Sequence, residues 1–358
     1  MTLEVTIAKR LPDFALDVSF ATDNKPLSIL GPSGAGKSML FRCIAGLDRP
    51  DSGRIVLNER ILFDAVQRIQ VPARERRVGM LFQHYALFPH RTVEENILFG
   101  LSHLSREEQL KRLAAAIDGT HIGGLEHRYP RELSGGEQQR AALARSLAVE
   151  PEALLLDEPL SALDTHLRSQ MEEQLQEIFA GYQRPSLVVT HNIEEAYRLG
   201  ERLLVLVRGR VAAFGDKEDV FRRPPNLEVA RITGCKNFSR ARAISSSVIE
   251  AVQWGCQLQV AGTIPASLAH VGIRAHHVDF TEASNASDES NSFPCWLVRW
   301  SETPFRITLF LKLHRPPNGP GDYQLQVEVF KEKWQRFRER PLPWHVRFAP
   351  QSLLLLAE

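Results

Sequence analysis

Leu27-Ser28-Ile29-Leu30-Gly31-Pro32-Ser33-Gly34-Ala35-Gly36-Lys37-Ser38 decides how this 358-residue chain folds. Its first four residues read as a short buried strand. A GxxxxGKS loop follows, and then Met39-Leu40-Phe41-Arg42-Cys43-Ile44-Ala45-Gly46-Leu47, whose apolar residues recur at helical spacing. A strand that runs through a glycine loop into a helix leaves unpaired backbone N–H groups at the positive end of the helix dipole, where an anion is favoured. The glycines let the backbone close around oxygens, Lys37 can reach β- and γ-phosphates, and the Ser38 hydroxyl can ligate Mg²⁺. Gly31, Pro32, Ser33, Gly34, Ala35, Gly36, Lys37 and Ser38 are thus the candidate triphosphate cradle, in a chain expected to be α/β.

Further along, Leu133-Ser134-Gly135-Gly136-Glu137 opens a predicted helix with Ser134 as N-cap, and Ala141-Ala142-Leu143-Ala144-Arg145-Ser146-Leu147-Ala148 continues it with good helix formers. Ala153-Leu154-Leu155-Leu156-Asp157-Glu158-Pro159 reads as a buried strand ending in two carboxylates. Ligands of parallel α/β sheets sit at the C-terminal ends of strands, which is where Asp157 and Glu158 would lie. Asp157 is suited to holding Mg²⁺, and Glu158 to orienting and deprotonating a water.

These segments resemble the ATPases of the ABC family: the glycine loop is similar to their P-loop, LSGGE to their LSGGQ signature, and LLLLDEP to their Walker B strand. Gln83 in LFQHYALFPH resembles the Q-loop, Ser161-Ala162-Leu163-Asp164 the D-loop, and His191 in LVVTHN the H-loop. The resemblance implies a P-loop ABC ATPase domain with a helical subdomain that binds ATP and Mg²⁺. Glu158, His191 and Gln83 are then the catalytic residues, and Ser38, Gln83 and Asp157 the metal residues. It also implies a homodimer that sandwiches two ATP molecules, with Ser134, Gly135, Gly136 and Asp164 adding to the nucleotide contacts and the signature acting in trans. Residues from about His84 to Arg131 read as the helical subdomain, and Tyr85, Leu87 and Phe88 are expected in the groove that receives a permease. The adenine-stacking aromatic usual upstream of the P-loop is not matched securely, and Phe14 is the nearest candidate.

Composition is that of a globular protein, 43% hydrophobic and 24% charged. Lys+Arg 44 against Asp+Glu 43 gives a net charge of +1, which argues against a nucleic-acid coat. Cys43, Cys235, Cys256 and Cys295 form no CxxC pair, so neither a zinc site nor a disulfide framework is expected. No apolar run reaches the ~20 residues that span a bilayer, and MTLEVTIAKR lacks the apolar stretch of a signal peptide. If the chain serves a membrane it does so from the surface, and the resemblance implies a peripheral place at the cytoplasmic face of the inner membrane.

Around Arg222-Arg223-Pro224-Pro225-Asn226 the pattern changes, which puts a boundary near residue 230: an ATPase domain over 1–230 and a β-rich domain over 231–358. CWLVRW, FRITLFLKL and YQLQVEVF are rich in strand formers and point to a small closed barrel. Thr233–Arg240 (TGCKNFSR) and Gly272–Val278 (GIRAHHV) resemble segments of the OB-like regulatory domain of importer ATPases, with Ala275 where proline is usual. TEASNASDESNS, from Thr281 to Ser292, reads as a solvated loop. Ile61–Gln83 resembles molybdate-type oxyanion importers, which implies molybdate or tungstate as cargo, with permease subunits and a solute-binding protein as partners. Sulfate, iron(III), polyamine and sugar importers have closely similar ATPase halves. A soluble ABC ATPase of translation or DNA repair is the alternative of another class, but one cassette without heptads or a cysteine cluster does not fit that layout.

Overall fold

The computed structural model describes residues 1–161, 163–281 and 290–358. Ala162 of the expected D-loop and most of the expected solvated loop, including Asn285-Ala286-Ser287, lie outside the described residues. The chain forms two compact units, Met1–Lys217 and Glu218–Glu358.

The first unit is built on an eleven-stranded mixed sheet in the order β6-β5-β4-β1-β2-β11-β10-β3-β9-β8-β7. In chain order these strands are β1 (Leu3–Leu11), β2 (Phe14–Thr22), β3 (Leu27–Leu30), β4 (Ser52–Leu57), β5 (Arg60–Asp64), β6 (Ile69–Gln70), β7 (Val78–Leu81), β8 (Ala153–Asp157), β9 (Ser186–Thr190), β10 (Arg202–Val207) and β11 (Arg210–Asp216). Its functional half is the parallel run β10-β3-β9-β8-β7. Strands β3, β8 and β9 are buried along their whole length, which is why their sequences read as unbroken apolar runs and not as alternation. Leu154, Leu155 and Leu156 are each fully buried, and truncating any one of them would cost about 2–5 kcal/mol.

Parallel pairing has one consequence for the site. Strands that run in the same direction end at the same edge, so the segments after β3, β7, β8 and β9 emerge together. The glycine loop, Gln83, Glu158 and His191 follow those strands, and Asp157 is the last residue of β8.

Helices α1 (Lys37–Ala45), α2 (Val93–Leu98), α3 (Arg106–Thr120), α4 (Gly135–Ala148), α5 (Thr165–Gly181) and α6 (Ile193–Leu199) complete this unit. Between β7 and β8 the chain is helical. There α2, α3 and α4 bury Val93, Ile97, Leu113, Ala141 and Ala144 in a core of their own. This matches the helical subdomain expected over His84–Arg131, with the signature helix added to it. No described helix is long and apolar enough to cross a membrane.

The units divide between Lys217 and Glu218, ahead of residue 230. The Pro224-Pro225 pair separates α7 (Lys217–Arg222) from α8 (Leu227–Ile232) instead of marking the break. The physical reason is Arg274, whose buried guanidinium donates to the Phe221 and Thr233 carbonyls and so draws both short helices into the second unit.

Two five-stranded antiparallel sheets, with a short helix over Lys331–Phe337, form most of the rest of that unit. One joins strands Asn237–Ala243, Val248–Ala251, Cys256–Gln259, His270–Ile273 and Leu353–Leu356. The other joins Val278–Thr281, Ser292–Glu302, Arg306–Leu313, Leu325–Phe330 and Trp344–Phe348. Both contribute to one core that includes Ile249, Leu258, Leu309, Val327 and Val346. The two motif segments of the sequence meet here. Asn237 pairs in register with Ile273 and donates to its carbonyl at 3.1 Å, and the Gln326 N–H donates to Asn237 Oδ1 at 2.6 Å.

Candidate functional site

The site begins at the glycine loop. Gly36 N-caps α1 with φ 101°, a left-handed conformation that a side chain rarely adopts, and a Cβ there would come within 2.6 Å of the Phe14 ring. Phe14 is thus a partly buried wall of the loop, packed on the first unit's core. Lys37 is buried and donates to the carbonyls of Gly31 at 2.8 Å and Pro32 at 3.0 Å. Desolvation pulls its ammonium pKa below the usual range, against the opposing pull of Glu158 and Asp157. Among the described residues its hydrogen-bond acceptors are neutral carbonyls, with Asp157 and Glu158 acting on it as nearby charges, and a phosphate would bring negative charge directly to the ammonium.

Next to it, the Ser38 hydroxyl donates to Asp157 Oδ1 at 3.2 Å, although the two residues are 119 positions apart in the chain. Asp157 is 7% exposed, and burial pushes its carboxyl above the usual carboxylate range, an effect the Ser38 hydrogen bond opposes. A hard, oxygen-preferring cation fits this pair: two oxygen donors converge, and the carboxylate's negative charge is incompletely compensated.

Glu158 follows in a left-handed conformation, φ 47°, which costs a non-glycine residue on the order of 1–3 kcal/mol. The turn aims its carboxylate along the sheet edge. Oε1 stands 3.2 Å from Nδ1 of His191, and Oε2 accepts from the Gln83 carboxamide at 3.4 Å. Behind His191, Thr190 Oγ1 donates to the buried Glu195 at 2.6 Å and accepts from the Asn192 N–H at 3.0 Å, which fixes the turn carrying the imidazole. Gln83, Glu158 and His191 stand in three separate segments of the sequence, and the structure brings all three together.

The signature residues lie apart from this cluster. Ser134 caps α4: its Oγ accepts from the Glu137 N–H, while Glu137 accepts from the Ser134 N–H at 2.7 Å and hydroxyl at 2.8 Å. Such a cap contributes about 1 kcal/mol. Gly135 is exposed, and a Cβ there would meet nothing within 4 Å among the described residues. Asp164 is likewise exposed and caps α5, accepting from the N–H groups of His166 and Leu167. Of the residues expected in a permease groove, Tyr85 and Leu87 are partly buried against the core, while Phe88 stacks on the half-exposed Phe99 at 4.6 Å.

Two side chains that the sequence did not single out hold the site's surroundings. Gln139 of α4 is fully buried and donates to the Pro159 carbonyl, directly behind Glu158. Arg145 of α4 donates to the carbonyls of Ala86 at 2.7 Å and Tyr85 at 3.0 Å. Both lie in the QQRAALARSLA run, which as sequence says only helix.

Residues 17–161 match the ABC transporter family. The chain is 36% identical to the molybdate/tungstate import ATP-binding protein WtpC of Pyrococcus abyssi, over 86% of this chain and 88% of that one. It is 43% identical to the sulfate/thiosulfate import ATP-binding protein CysA of Bradyrhizobium diazoefficiens, over 65% of this chain and 69% of that one. Among solved structures, the dimeric bacterial ABC transporter cassette MJ0796 is similar with a TM-score of 0.52 and 29% identity, covering 60% of this chain and 98% of that one. The same cassette in a post-hydrolysis state bound to ADP and Pi is similar to the same extent. A glycine loop, an acidic strand end and a bracketing Gln and His on one parallel edge, together with a relative alike over most of both chains, place this chain in the family of ABC import ATP-binding subunits.

Proposed function

We propose that this chain hydrolyses ATP with Mg²⁺ as one half of a homodimer and thereby drives import of a tetrahedral oxyanion, molybdate or tungstate. The observation that carries the ATPase chemistry is the convergence of Gln83, Glu158 and His191 beside the Lys37–Ser38–Asp157 cluster. The loop from Gly31 to Gly36 wraps the triphosphate with its backbone N–H groups, and Lys37 leaves the Gly31 and Pro32 carbonyls to bind β- and γ-oxygens. Ser38 and Asp157, with Gln83, would hold Mg²⁺. When bound, the metal supplies charge neutralisation at the phosphate oxygens. Glu158 takes the proton of the attacking water, and His191 and Gln83 keep its carboxylate in place.

The signature supports the dimer reading. Ser134 and Gly135 are exposed at a helix N-terminus, with Gly136 buried behind them, and the Glu137 carboxylate of the same helix takes up the Ser134 N–H and hydroxyl. In an ATP-bound pair they would meet the partner's nucleotide, with Asp164 at the same junction. The exposed Phe99 against the partly buried Phe88, with Tyr85 and Leu87 nearby in the chain, supports a permease contact at the cytoplasmic face of the membrane, where a solute-binding protein would act only indirectly.

For the cargo, the support is extent: likeness to the molybdate/tungstate protein continues through 86% of the chain and so into the second unit, whereas likeness to the sulfate/thiosulfate protein covers 65%. We read the second unit as an OB-like regulatory domain, supported by two antiparallel sheets sharing one core and by the pairing of the TGCKN and GIRAHH segments. The test is ATP hydrolysis by the chain reconstituted with its permease and binding protein, supplying molybdate, tungstate, sulfate and a polyamine in turn. Stimulation by molybdate or tungstate alone is expected. Stimulation by sulfate or a polyamine would replace the cargo and keep the importer.

A further inference from the structure

The segment after β7 is fixed at its ends by different means. At its start Gln83 leaves the sheet edge, and at its far end Phe88 exchanges hydrogen bonds with the fully buried Asn96, which accepts from the Phe88 N–H at 2.8 Å and donates to its carbonyl at 3.2 Å. Between them Tyr85 and Ala86 are both left-handed, φ 58° and 49°, two successive strained residues with no glycine to relieve them. The Tyr85 hydroxyl is buried without a hydrogen-bond partner among the described residues. Left to itself such a segment would relax, and Gln83 would move with it.

Arg145 opposes that relaxation. Its guanidinium spans both strained carbonyls, 2.7 Å from Ala86 O and 3.0 Å from Tyr85 O, and lies over the Phe88 ring at 5.5 Å. Among the described residues no carboxylate pairs with it, so its charge is spent on these carbonyls, and burial lowers its pKa. A planar fork suits two adjacent carbonyls, which a lysine could not satisfy together.

We propose that Arg145 is a positioning residue for ATP hydrolysis, holding the Tyr85–Ala86 turn so that the Gln83 carboxamide stays on the Glu158 carboxylate. The arginine sits 11 residues along the helix that Ser134 opens, a rise of about 16 Å. Any displacement of the signature end of α4 is therefore felt at Gln83 through one rigid rod and two hydrogen bonds. This inference rests on the roles proposed above for Gln83 and Glu158.

The test uses the full-length chain and steady-state ATP hydrolysis of Arg145→Met, Arg145→Lys and the double variant Arg145→Met/Ala86→Gly. Arg145→Met is expected to lower kcat about tenfold with KM for ATP changed by no more than about twofold, and Arg145→Lys to fall between it and the parent. Glycine adopts the left-handed region without strain, so adding Ala86→Gly should recover about threefold or more of the lost kcat. Loss of mere packing would not be repaired in that way. A folded Arg145→Met or Arg145→Lys at the parental kcat overturns the proposal, as does reduced activity that Ala86→Gly fails to restore. Should Arg145→Met not fold, the same comparison in the Arg145→Lys background decides. Glu158→Gln and Gln83→Ala run in parallel: parental rates in both would refute the site reading itself, independently of Arg145.

Discussion

Glu158 Oε1 and His191 Nδ1 stand 3.2 Å apart at the ends of two neighbouring parallel strands, β8 and β9. Adjacent strands lie about 4.8 Å apart, so side chains leaving the same edge reach one another without any loop having to fold back. The left-handed backbone of Glu158 turns its carboxylate toward that neighbour and toward Gln83 on the other side. A carboxylate held by two groups that can each donate to it is placed to take a proton from a water.

Glu158→Gln should therefore retain ATP binding and lose turnover by about 10²- to 10⁴-fold, the usual contribution of a general base. Steady-state hydrolysis together with nucleotide-dependent dimerisation by light scattering checks both parts. An ATP-stabilised dimer that does not hydrolyse is the expected species.

Lys37→Ala should act on binding. Charge-assisted hydrogen bonds to phosphate are each worth about 1.5–3 kcal/mol, so ATP affinity measured by calorimetry should fall about ten- to a hundredfold. Unchanged affinity would remove the cradle from the binding account.

Asp157 links the site to stability. Burial raises its pKa, so in the nucleotide-free chain the stability this group contributes is present at acid pH and is lost as pH rises through the folded value. Asp157→Asn should raise the nucleotide-free melting temperature at neutral pH, by about 2–4 °C for each 1 kcal/mol relieved, while eliminating Mg²⁺-dependent hydrolysis. A calorimetric pH series of both proteins checks the sign: the difference should shrink toward acid pH.

Ser134 offers a separation of two roles. Ser134→Ala removes the cap of α4 and should cost about 1 kcal/mol in denaturant titrations, whereas Ser134→Asn keeps the cap. If the hydroxyl also meets a partner's nucleotide, both variants lose ATP-driven dimerisation. Normal dimerisation in Ser134→Asn would leave Ser134 with its capping role alone.

The sequence by itself determined the local pieces: a strand, glycine loop and helix at 27–45, a capped helix from Ser134, and a buried strand ending at Asp157. Each is written in short-range chemistry, in glycines that permit left-handed turns, in a side chain that caps, and in unbroken apolar runs that only a two-sided burial explains. The likeness to a known family implies Gln83, Glu158 and His191 as catalytic residues, without saying that the first and last meet the Glu158 carboxylate. What only the tertiary structure decided is how distant residues constrain one another. Arg145 and Gln139 read as ordinary members of a helix, because nothing in their neighbours along the chain says that the Ala86, Tyr85 and Pro159 carbonyls lie opposite. The boundary between the units moved for the same reason: Pro224-Pro225 is a strong local break, but Arg274, some fifty residues later, binds the carbonyls on both sides of it. Local propensity is set by a residue and its near neighbours, whereas a buried guanidinium takes whatever carbonyls the packed chain presents to it.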